Sequence, residues 1–356
     1  MVVHRLAAAR SRYRVEVVGP AVPEPTYPGI SFNPVRVPRF LPFSASRAYA
    51  GALTASIRRI SPVLIEVHNK PDIAAWLARR FPAIPVCVHL HNDPRSMRGA
   101  RSPAARTRLL ASLAGVSAVS AWVADAFMEG VGGAGRVTVL HNAIDMTALP
   151  RPLPQSLRPS TMVFAGRVVP DKGPDAFIAA CGHALPRLPG WAAVIIGADG
   201  FSKAAEHSAF IEGLRPAAAA AGVSMLGYRE HADVLRALSQ AAIAVVPSRW
   251  PEPFGLAALE AMACGAALLY SARGALAEVV ADAGLPIDPD DPAAFGAILV
   301  RLATDLVLRE ALSAAGRQRA HDVFGIDRAM VLLDASRDGL VQPGTSRSAL
   351  PSDRCM

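Results

Sequence analysis

Two glutamates, Glu252 and Glu260, lie eight residues apart in the stretch AIAVVPSRWPEPFGLAALEAMACG, residues 242–265. The apolar run at 243–246 has the length and β-branched content of a buried strand. The residues after Gly255 are good helix formers, so Glu252 is predicted in a loop and Glu260 inside a helix. A helix that starts where a parallel strand ends presents unpaired N–H groups and the positive end of its dipole, which together favour phosphate binding.

The turn that joins this strand to the helix allows a close approach to an anion. Gly255 carries no side chain, and the backbone N–H groups near Phe254, Gly255 and Leu256 would face a phosphate. Pro253 precedes them. A carboxylate repels phosphate but accepts hydrogen bonds from sugar hydroxyls, so the pattern predicts a pocket for a sugar joined to a diphosphate.

A second group of charges follows the apolar run at 161–165. The segment GRVVPDKG, which begins at Gly166, holds two cations five residues apart between glycines. Arg167 offers a planar fork of donors and Lys172 a compact charge, and both suit a diphosphate. A charged surface turn is the alternative.

The two segments resemble the E-x7-E and G-R-x-x-x-D-K-G signatures of the retaining GT-B glycosyltransferases of family 4. The resemblance implies that Arg167 and Lys172 bind the donor diphosphate. It also implies that Glu252 holds a hydroxyl of the transferred sugar and that Glu260 holds the ribose hydroxyls. A solvated helix face is the alternative explanation of the two glutamates.

Polar residues at the ends of two further predicted strands are candidates for substrate contacts, because ligands of open α/β sheets bind beyond the carboxyl ends of strands. His68 and Asn69 follow one strand, and His91 follows the next. The resemblance places a histidine beside the donor sugar at this second position, and His91 matches it better than His89, which lies within the strand. His68 and Asn69 are weaker candidates for acceptor contacts. A histidine at a strand end without a role in binding is the alternative.

Predicted strands and helices alternate along the chain, as a doubly wound sheet requires. We therefore predict an α/β fold of the GT-B type, with two Rossmann-like parallel-sheet domains facing a cleft. Gly227 and Tyr228 follow the predicted strand 223–226, where the resemblance implies contacts to the nucleotide base. The family's initial strand and glycine-rich loop are missing from the pattern. We expect a start codon called too late or a truncated chain rather than an altered acceptor side.

We predict the following division of the chain. An acceptor-side domain at 1–149 is followed by a proline-rich linker at 150–160. A nucleotide-sugar domain occupies 161–325. A C-terminal helix at 326–340 packs back on the first domain, and a polar tail at 341–356 is disordered.

Composition excludes several classes of protein. Of the 356 residues 52% are hydrophobic, which permits two α/β domains of ordinary size. The four cysteines lack disulfide or metal-ligand spacing, which favours reduced thiols in a cytoplasmic protein. The net charge is +8, but the basic residues are dispersed along the chain and form no nucleic-acid-binding motif. Contact with anionic lipid at the inner face of the cell membrane explains this charge better than nucleic-acid binding does. A solvated basic surface with no partner is the alternative. No apolar run reaches the ~20 residues of a membrane span.

The sequence thus predicts transfer of a sugar from a nucleotide-diphosphate sugar to a glycan or lipid-linked acceptor, with retention. Cell-surface polysaccharide synthesis is the destination that the resemblance favours. No aspartate pair with Mg²⁺-binding spacing is present, so we expect neither a metal nor another cofactor. A sugar-nucleotide epimerase of the same fold and a catalytically silent binding or scaffold protein are the rival hypotheses. The sequence does not identify the sugar, the base or the acceptor.

Overall fold

The computed structural model describes residues 7–21, 29–37, 45–133, 135–200 and 208–341. The chain forms two compact units. The first comprises residues 1–141 and 327–356, and the second comprises 142–326. All strand pairings within the described ranges are parallel, which confirms the predicted α/β class.

Strands and helices alternate over most of the chain. The strands are β1 (Glu16–Pro20), β2 (Ser31–Val35), β3 (Ile65–His68), β4 (Val86–Leu90), β5 (Gly115–Ala118), β6 (Thr138–Val139), β7 (Thr161–Ala165), β8 (Ala192–Ile196), β9 (Val223–Met225), β10 (Ile243–Val246), β11 (Ala267–Ser271) and β12 (Gly284–Ile287). The helices are α1 (Ala45–Ile60), α2 (Pro71–Arg80), α3 (Pro103–Ser112), α4 (Ala121–Met128), α5 (Pro174–Ala184), α6 (Ala209–Ala220), α7 (His231–Gln240), α8 (Leu256–Ala263), α9 (Leu276–Val280), α10 (Pro292–Thr304), α11 (Leu306–Phe324) and α12 (Ile326–Val341).

Several helices begin where a short polar side chain satisfies a free backbone N–H group. The hydroxyl of Ser120 accepts a hydrogen bond from the amide of Val123 at 3.1 Å and caps α4. The carboxylate of Asp305 does the same for the amide of Leu308 at 2.9 Å and starts α11.

The first unit contains a four-stranded sheet in the order β3-β4-β5-β6 and a separate parallel pair, β1 with β2. In the larger sheet His68 lies opposite His89, and His89 lies opposite Ser117. Residues opposite each other in neighbouring strands present their side chains on the same face. The register therefore gathers polar side chains on one face of this sheet.

The second unit contains one six-stranded sheet in the order β12-β11-β10-β7-β8-β9. Counted within the unit, this is the doubly wound order 3-2-1-4-5-6, which reverses direction between β7 and β10. Its core holds Phe177 and Phe295, which are fully buried. Ligands of such sheets bind beyond the carboxyl ends of the two strands at the reversal. The segment with Arg167 and Lys172 follows β7, and the segment with Glu252 and Glu260 follows β10.

The N-terminal segment differs from its sequence pattern, which predicts a helix from Val2 to Arg14. Among the described residues the helix ends at Ala8, and the chain runs without helix to β1. Ser11 donates a hydrogen bond to Asp334 of α12 at 2.7 Å, and Tyr13 donates one to Asp338 at 2.6 Å. These tertiary contacts replace the local helical bonds. Residues 1–6 and 22–28 lie outside the described ranges, so the predicted loss of an initial strand stays a prediction.

The boundary between the units also differs from the predicted one. We predicted a linker at 150–160, whereas the division falls at residues 141 and 142. The proline-rich segment packs on the second unit: Gln155 donates to the carbonyls of Ala242 and Gly265, and the buried Arg158 donates to the carbonyl of Cys264 at 2.9 Å. Fixed prolines and buried donors make this segment part of the fold. The predicted disordered tail lies outside the described residues from 342 onward.

In the first unit, α12 packs on the four-stranded sheet. A Cβ added to Gly115 of β5 would lie 2.9 Å from the side chain of Leu340. Arg337 of the same helix is buried and reaches Glu66 of β3 at 2.7 Å. None of the described helices combines the length and apolar character that crossing a membrane requires.

Candidate active site

The loops that follow β7 and β10 are bonded to each other. The carbonyl oxygen of Asp171 accepts hydrogen bonds from the amides of Arg249 at 2.8 Å and Trp250 at 3.0 Å. It also accepts one from the hydroxyl of Ser248 at 3.1 Å. The two segments singled out in the sequence therefore form one connected structure at the reversal point of the sheet.

Two glycines are required by the geometry of this structure. Gly173 has a φ of +68°, and a Cβ at this position would lie 2.1 Å from the carbonyl oxygen of Pro247. Gly255 has a φ of +95°, and its Cβ would lie 2.4 Å from the side chain of Leu276. Neither position accepts a side chain without displacement of the backbone or of its neighbour.

Lys172 and Glu252 form an ion pair. The ammonium nitrogen lies 2.5 Å from a carboxylate oxygen of Glu252, and the two side chains are only 23% and 11% exposed. The carbonyl of Glu252 accepts a hydrogen bond from the amide of Ala275 at 2.7 Å, which fixes the glutamate. A lysine ammonium has three N–H donors, so Lys172 can keep this bond and still donate to an anion.

The predicted anion-binding turn precedes α8. Phe254 is buried and packs its edge against the ring of Phe324, with the ring centroids 5.6 Å apart. Pro253 is half-buried and Gly255 is the residue before the first helical turn, which starts at Leu256. No side-chain cap satisfies the first amides of this helix in the described part of the chain. These amides are therefore suited to an acceptor from a ligand.

Glu260 lies inside α8, as predicted, and is buried. One of its carboxylate oxygens lies 3.0 Å from the Nε2 atom of His231, the first residue of α7. His231 is not among the residues predicted from the sequence. Its place a few residues after β9, at the carboxyl edge of the same sheet, was the available signal.

Glycines also join the ends of β7, β8 and β9. The amide of Gly197 donates to the carbonyl of Gly227 at 2.9 Å. A Cβ on Gly197 would lie 1.8 Å from the carbonyl oxygen of Gly166, so these loops touch through their backbones. Tyr228 is half-buried beside Gly227. Arg167 is exposed and makes no hydrogen bond or ion pair with another residue of the described ranges.

In the first unit, the backbone around His91 is fixed by Asn69. Asn69 adopts a φ of +55°, a left-handed conformation that asparagine tolerates better than most residues. Its side-chain oxygen accepts a hydrogen bond from the amide of His91 at 2.7 Å. This contact fixes the local backbone, and the contact with the sugar acceptor that we expect of Asn69 stays a prediction.

The sequence pattern predicts His68 as the first residue of the loop after a strand. In the structure His68 is instead the last residue of β3. Its Nδ1 atom lies 2.9 Å from Nε2 of His91. Its ring also stacks on that of His89, with centroids 5.0 Å apart. Burial, with the nearby His89, lowers the pKa of His91 to about 4. Burial lowers the pKa of His68 well below its usual range as well.

The histidine rings lie next to a partly buried ion pair of Glu66 and Arg337. His89 contacts the hydroxyl of Ser117 through Nδ1 and lies 3.5 Å from Glu66 through Nε2. Arg337 donates two hydrogen bonds to Glu66. Burial opposes ionisation of Glu66, but the bonds from His89 and Arg337 hold the pKa of this carboxyl well below its usual range.

Glu66, Cys87 and His89 bring potential metal-binding atoms within 4.8 Å of one another. Burial raises the pKa of the Cys87 thiol and disfavours the thiolate that would bind a metal. The Glu66 carboxylate already pairs with Arg337. These groups fit a hydrogen-bonded cluster better than a cation site. The expectation of a metal-independent protein stays a prediction.

A groove of about 990 Å³ lies elsewhere in the second unit. It is lined by the proline-rich segment and by α11, including Arg151, Arg317 and His321. Gln155, also at its wall, bonds to residues that precede β10 and β11. The groove is thus on the amino side of the sheet, and none of the predicted site residues lines it.

The structure brings the predicted residues into two groups. One group in the second unit holds the donor-binding candidates after β7, β9 and β10, with Lys172 bonded to Glu252. The other group in the first unit holds His68, Asn69 and His91. His89 was set aside in favour of His91 on the sequence alone, and Glu66 and Arg337 were not selected. These residues meet only through strand register and through a helix far along the chain.

Two family models match the chain. The description "Glycosyl transferases group 1" applies to residues 145–319, and "Glycosyltransferase Family 4" applies to residues 1–148. The first match contains both segments of the second unit, and the second contains the histidine group.

Curated relatives carry related descriptions. The chain is 26% identical over 322 residues to "Putative glycosyltransferase YtcC" of Bacillus subtilis, covering 83% of this chain and 77% of the relative. It is 32% identical to the glycogen synthase of Mycobacterium tuberculosis, covering 54% and 46%. It is 33% identical to the D-inositol 3-phosphate glycosyltransferase of Salinispora arenicola, covering 54% and 44%. The matched part of the chain thus spans less than half the length of the last two relatives.

Solved structures share the fold. Sucrose-phosphate synthase from Thermosynechococcus elongatus aligns with a TM-score of 0.74 at 20% identity, covering 92% of this chain and 88% of that one. Anabaena Alr3699/HepE in complex with UDP aligns with a TM-score of 0.72 at 19% identity, covering 87% of each chain. These likenesses confirm the predicted GT-B fold. The two family models, which together cover residues 1–319, show that the chain belongs to the group 1 glycosyltransferases.

Proposed function

We propose that the protein transfers a sugar, with retention of its anomeric configuration, from a nucleotide-diphosphate sugar to a glycan or lipid-linked acceptor. The observation that carries the proposal is the bonded pair of loops after β7 and β10. They join Lys172, Glu252 and the start of α8 at the reversal point of a doubly wound sheet, where such sheets bind nucleotides.

The reaction leaves negative charge on the departing diphosphate. The bond between the anomeric carbon and the diphosphate oxygen breaks, the acceptor hydroxyl forms the new bond, and its proton passes to the leaving phosphate. Fixed donors stabilise this charge without reorganising during the reaction. In the proposal these donors are Arg167, Lys172 and the amides of Gly255 and Leu256.

The carboxylates position the sugar and the ribose. Glu252 is fixed by its bonds to Lys172 and through its backbone, so its second oxygen can accept a hydrogen bond from a sugar hydroxyl. Glu260 accepts from the ribose hydroxyls, with His231 holding its other oxygen at 3.0 Å. Gly227 and Tyr228 contact the base, and His91 contacts the transferred sugar.

UDP-glucose is the first donor to test. Anabaena Alr3699/HepE has been solved with UDP-glucose, and an Escherichia coli trehalose-6-phosphate protein with UDP-2-fluoro glucose. Both likenesses are below 25% identity and support the fold alone, so the base and the sugar belong to the proposal. An anionic or lipid-linked acceptor at the cytoplasmic face of the membrane would suit the net charge of +8.

The experiment measures transfer from radiolabelled UDP-, GDP- and ADP-sugars to a panel of glycan and lipid-linked acceptors, with and without acceptor. Transfer that needs an acceptor, with the product keeping the anomeric configuration of the donor, supports the proposal. Conversion of the donor to its epimer without acceptor would replace it with the epimerase hypothesis. Absence of nucleotide binding in all three series would leave the scaffold hypothesis.

A further inference from the structure

His91 is held at two separate points. Its amide donates to the side-chain oxygen of Asn69 at 2.7 Å, and its ring nitrogen Nε2 lies 2.9 Å from Nδ1 of His68. The two ring planes lie within 25° of each other, which suits a bond in the plane of both rings. The backbone contact fixes where His91 is, and the ring contact fixes how its imidazole is turned.

His68 also contacts a second histidine ring. Its ring lies against that of His89 with an angle of 15° between the planes. His89 is buried, contacts Ser117 at one nitrogen and faces Glu66 at the other. Arg337 neutralises Glu66 with two hydrogen bonds. The support for His68 therefore consists of rings and paired charges that have little freedom to move.

We infer that His68 is a positioning residue that fixes the ring orientation and the tautomer of His91. The inference rests on the proposed function, in which His91 contacts the transferred sugar. Two neutral imidazoles that share one hydrogen bond need one donor and one acceptor. Nδ1 of His91, the nitrogen not bonded to His68, then has a single defined role as donor or acceptor.

The surroundings keep both rings uncharged near neutral pH. Burial lowers the pKa of His91 to about 4 and that of His68 well below its usual range. The charged groups that face the pair from the sheet and from α12 are Glu66 and Arg337, and they compensate each other. A neutral pair suits a group that orients a sugar hydroxyl, because its hydrogen-bonding direction is constant over the neutral range.

The test compares three variants by turnover and by nitrogen NMR. His68→Phe keeps a ring against His89 but removes the bond to His91. His68→Asn can place an amide atom where Nδ1 lies. We expect His68→Phe to lower kcat about tenfold, the size of one lost hydrogen bond, and to leave the Kd for UDP within about twofold. We expect His68→Asn to recover most of the lost rate. His321→Phe, at an exposed histidine outside this group, is the matched control and should not change kcat.

The spectra test the inference without any turnover. In protein labelled with ¹⁵N-histidine, the His91 signals are identified by their loss in His91→Phe. We expect one neutral tautomer of His91 in the wild type at pH 7 and exchange between both tautomers in His68→Phe. An unchanged His91 tautomer in His68→Phe would overturn the inference. Wild-type turnover in His91→Phe would instead overturn the role of His91 in the proposed function and leave the spectral result standing.

Discussion

The two units handle polar groups in opposite ways. The second unit carries its candidate groups on loops at a sheet edge, with Arg167 exposed and Lys172 partly so. The first unit places the half-buried His68 and the buried His89 beside a compensated ion pair of Glu66 and Arg337. Exposed cations and free helix amides suit an anion that arrives from solvent. Buried neutral rings suit the orientation of a group that carries no charge. The second unit is thus suited to neutralising the charge of an anion, and the first unit to positioning an uncharged group.

The largest effect should come from the cations of the second unit. Arg167→Ala and Lys172→Ala should each lower turnover by roughly two or more orders of magnitude, because one charged donor at such a site contributes about 2 to 4 kcal/mol to transition-state stabilisation. Steady-state kinetics with the donor sugar measures the change. Arg215→Ala, at a surface helix ion pair, is the control and should keep the wild-type rate. Near-normal rates in both site variants would reject the diphosphate assignment.

The backbone of the anion-binding turn gives the next effect. Gly255→Ala should lower the free energy of unfolding by about 1 to 3 kcal/mol, because the new Cβ would meet Leu276 at 2.4 Å and φ is positive. Gly213→Ala, inside α6 with nothing within 4 Å of the added Cβ, should be neutral or stabilising by up to about 1 kcal/mol. Denaturant unfolding compares the two. Equal effects would show that the turn is not constrained as the geometry indicates.

The lowered pKa of His91 in the first unit should make the free energy of unfolding depend on pH. The pKa of His91 is about 4 in the fold, against about 6.5 in an unfolded chain. The unfolded chain therefore binds more protons between these values, and stability falls as the pH falls through this window. His91→Phe should make the dependence shallower by up to about 1.4 kcal/mol per pH unit. An identical dependence in this variant would mean that His91 titrates normally and that its surroundings are wetter than described.

The smallest effect should come from the pair in α8 and α7. Glu260→Ala should weaken nucleotide binding about tenfold, the size of one or two lost hydrogen bonds, with little change in kcat. Isothermal titration with UDP measures it. Unchanged affinity would contradict the ribose role of Glu260. His231→Ala should show a smaller loss in the same direction, because His231 acts only through Glu260.

Local sequence patterns were sufficient to predict the strand, turn and helix that form the candidate site of the second unit. The strand β10, the turn at Gly255 and the helix α8 are consecutive in the sequence. Each has residue types that favour the structure it adopts. The bond between Lys172 and Glu252 was not predicted, because these residues are 80 positions apart and meet only when β7 and β10 become neighbours. The histidine group depends on register in the same way. Arg337 reaches Glu66 over 271 positions, and no local pattern indicates such a contact.

The chain leaves the first unit after residue 141 and returns to it at residue 327, because residues 142–326 form the second unit without interruption. Ser11 and Tyr13, which precede the second unit in the chain, bond to residues of α12, which follows it. During synthesis the second unit therefore has all its residues before the ribosome has made the helix that completes the first. The opening part of the first unit therefore stays incomplete until α12 has been made, and a premature stop shortly before α12 would leave Glu66 without its arginine.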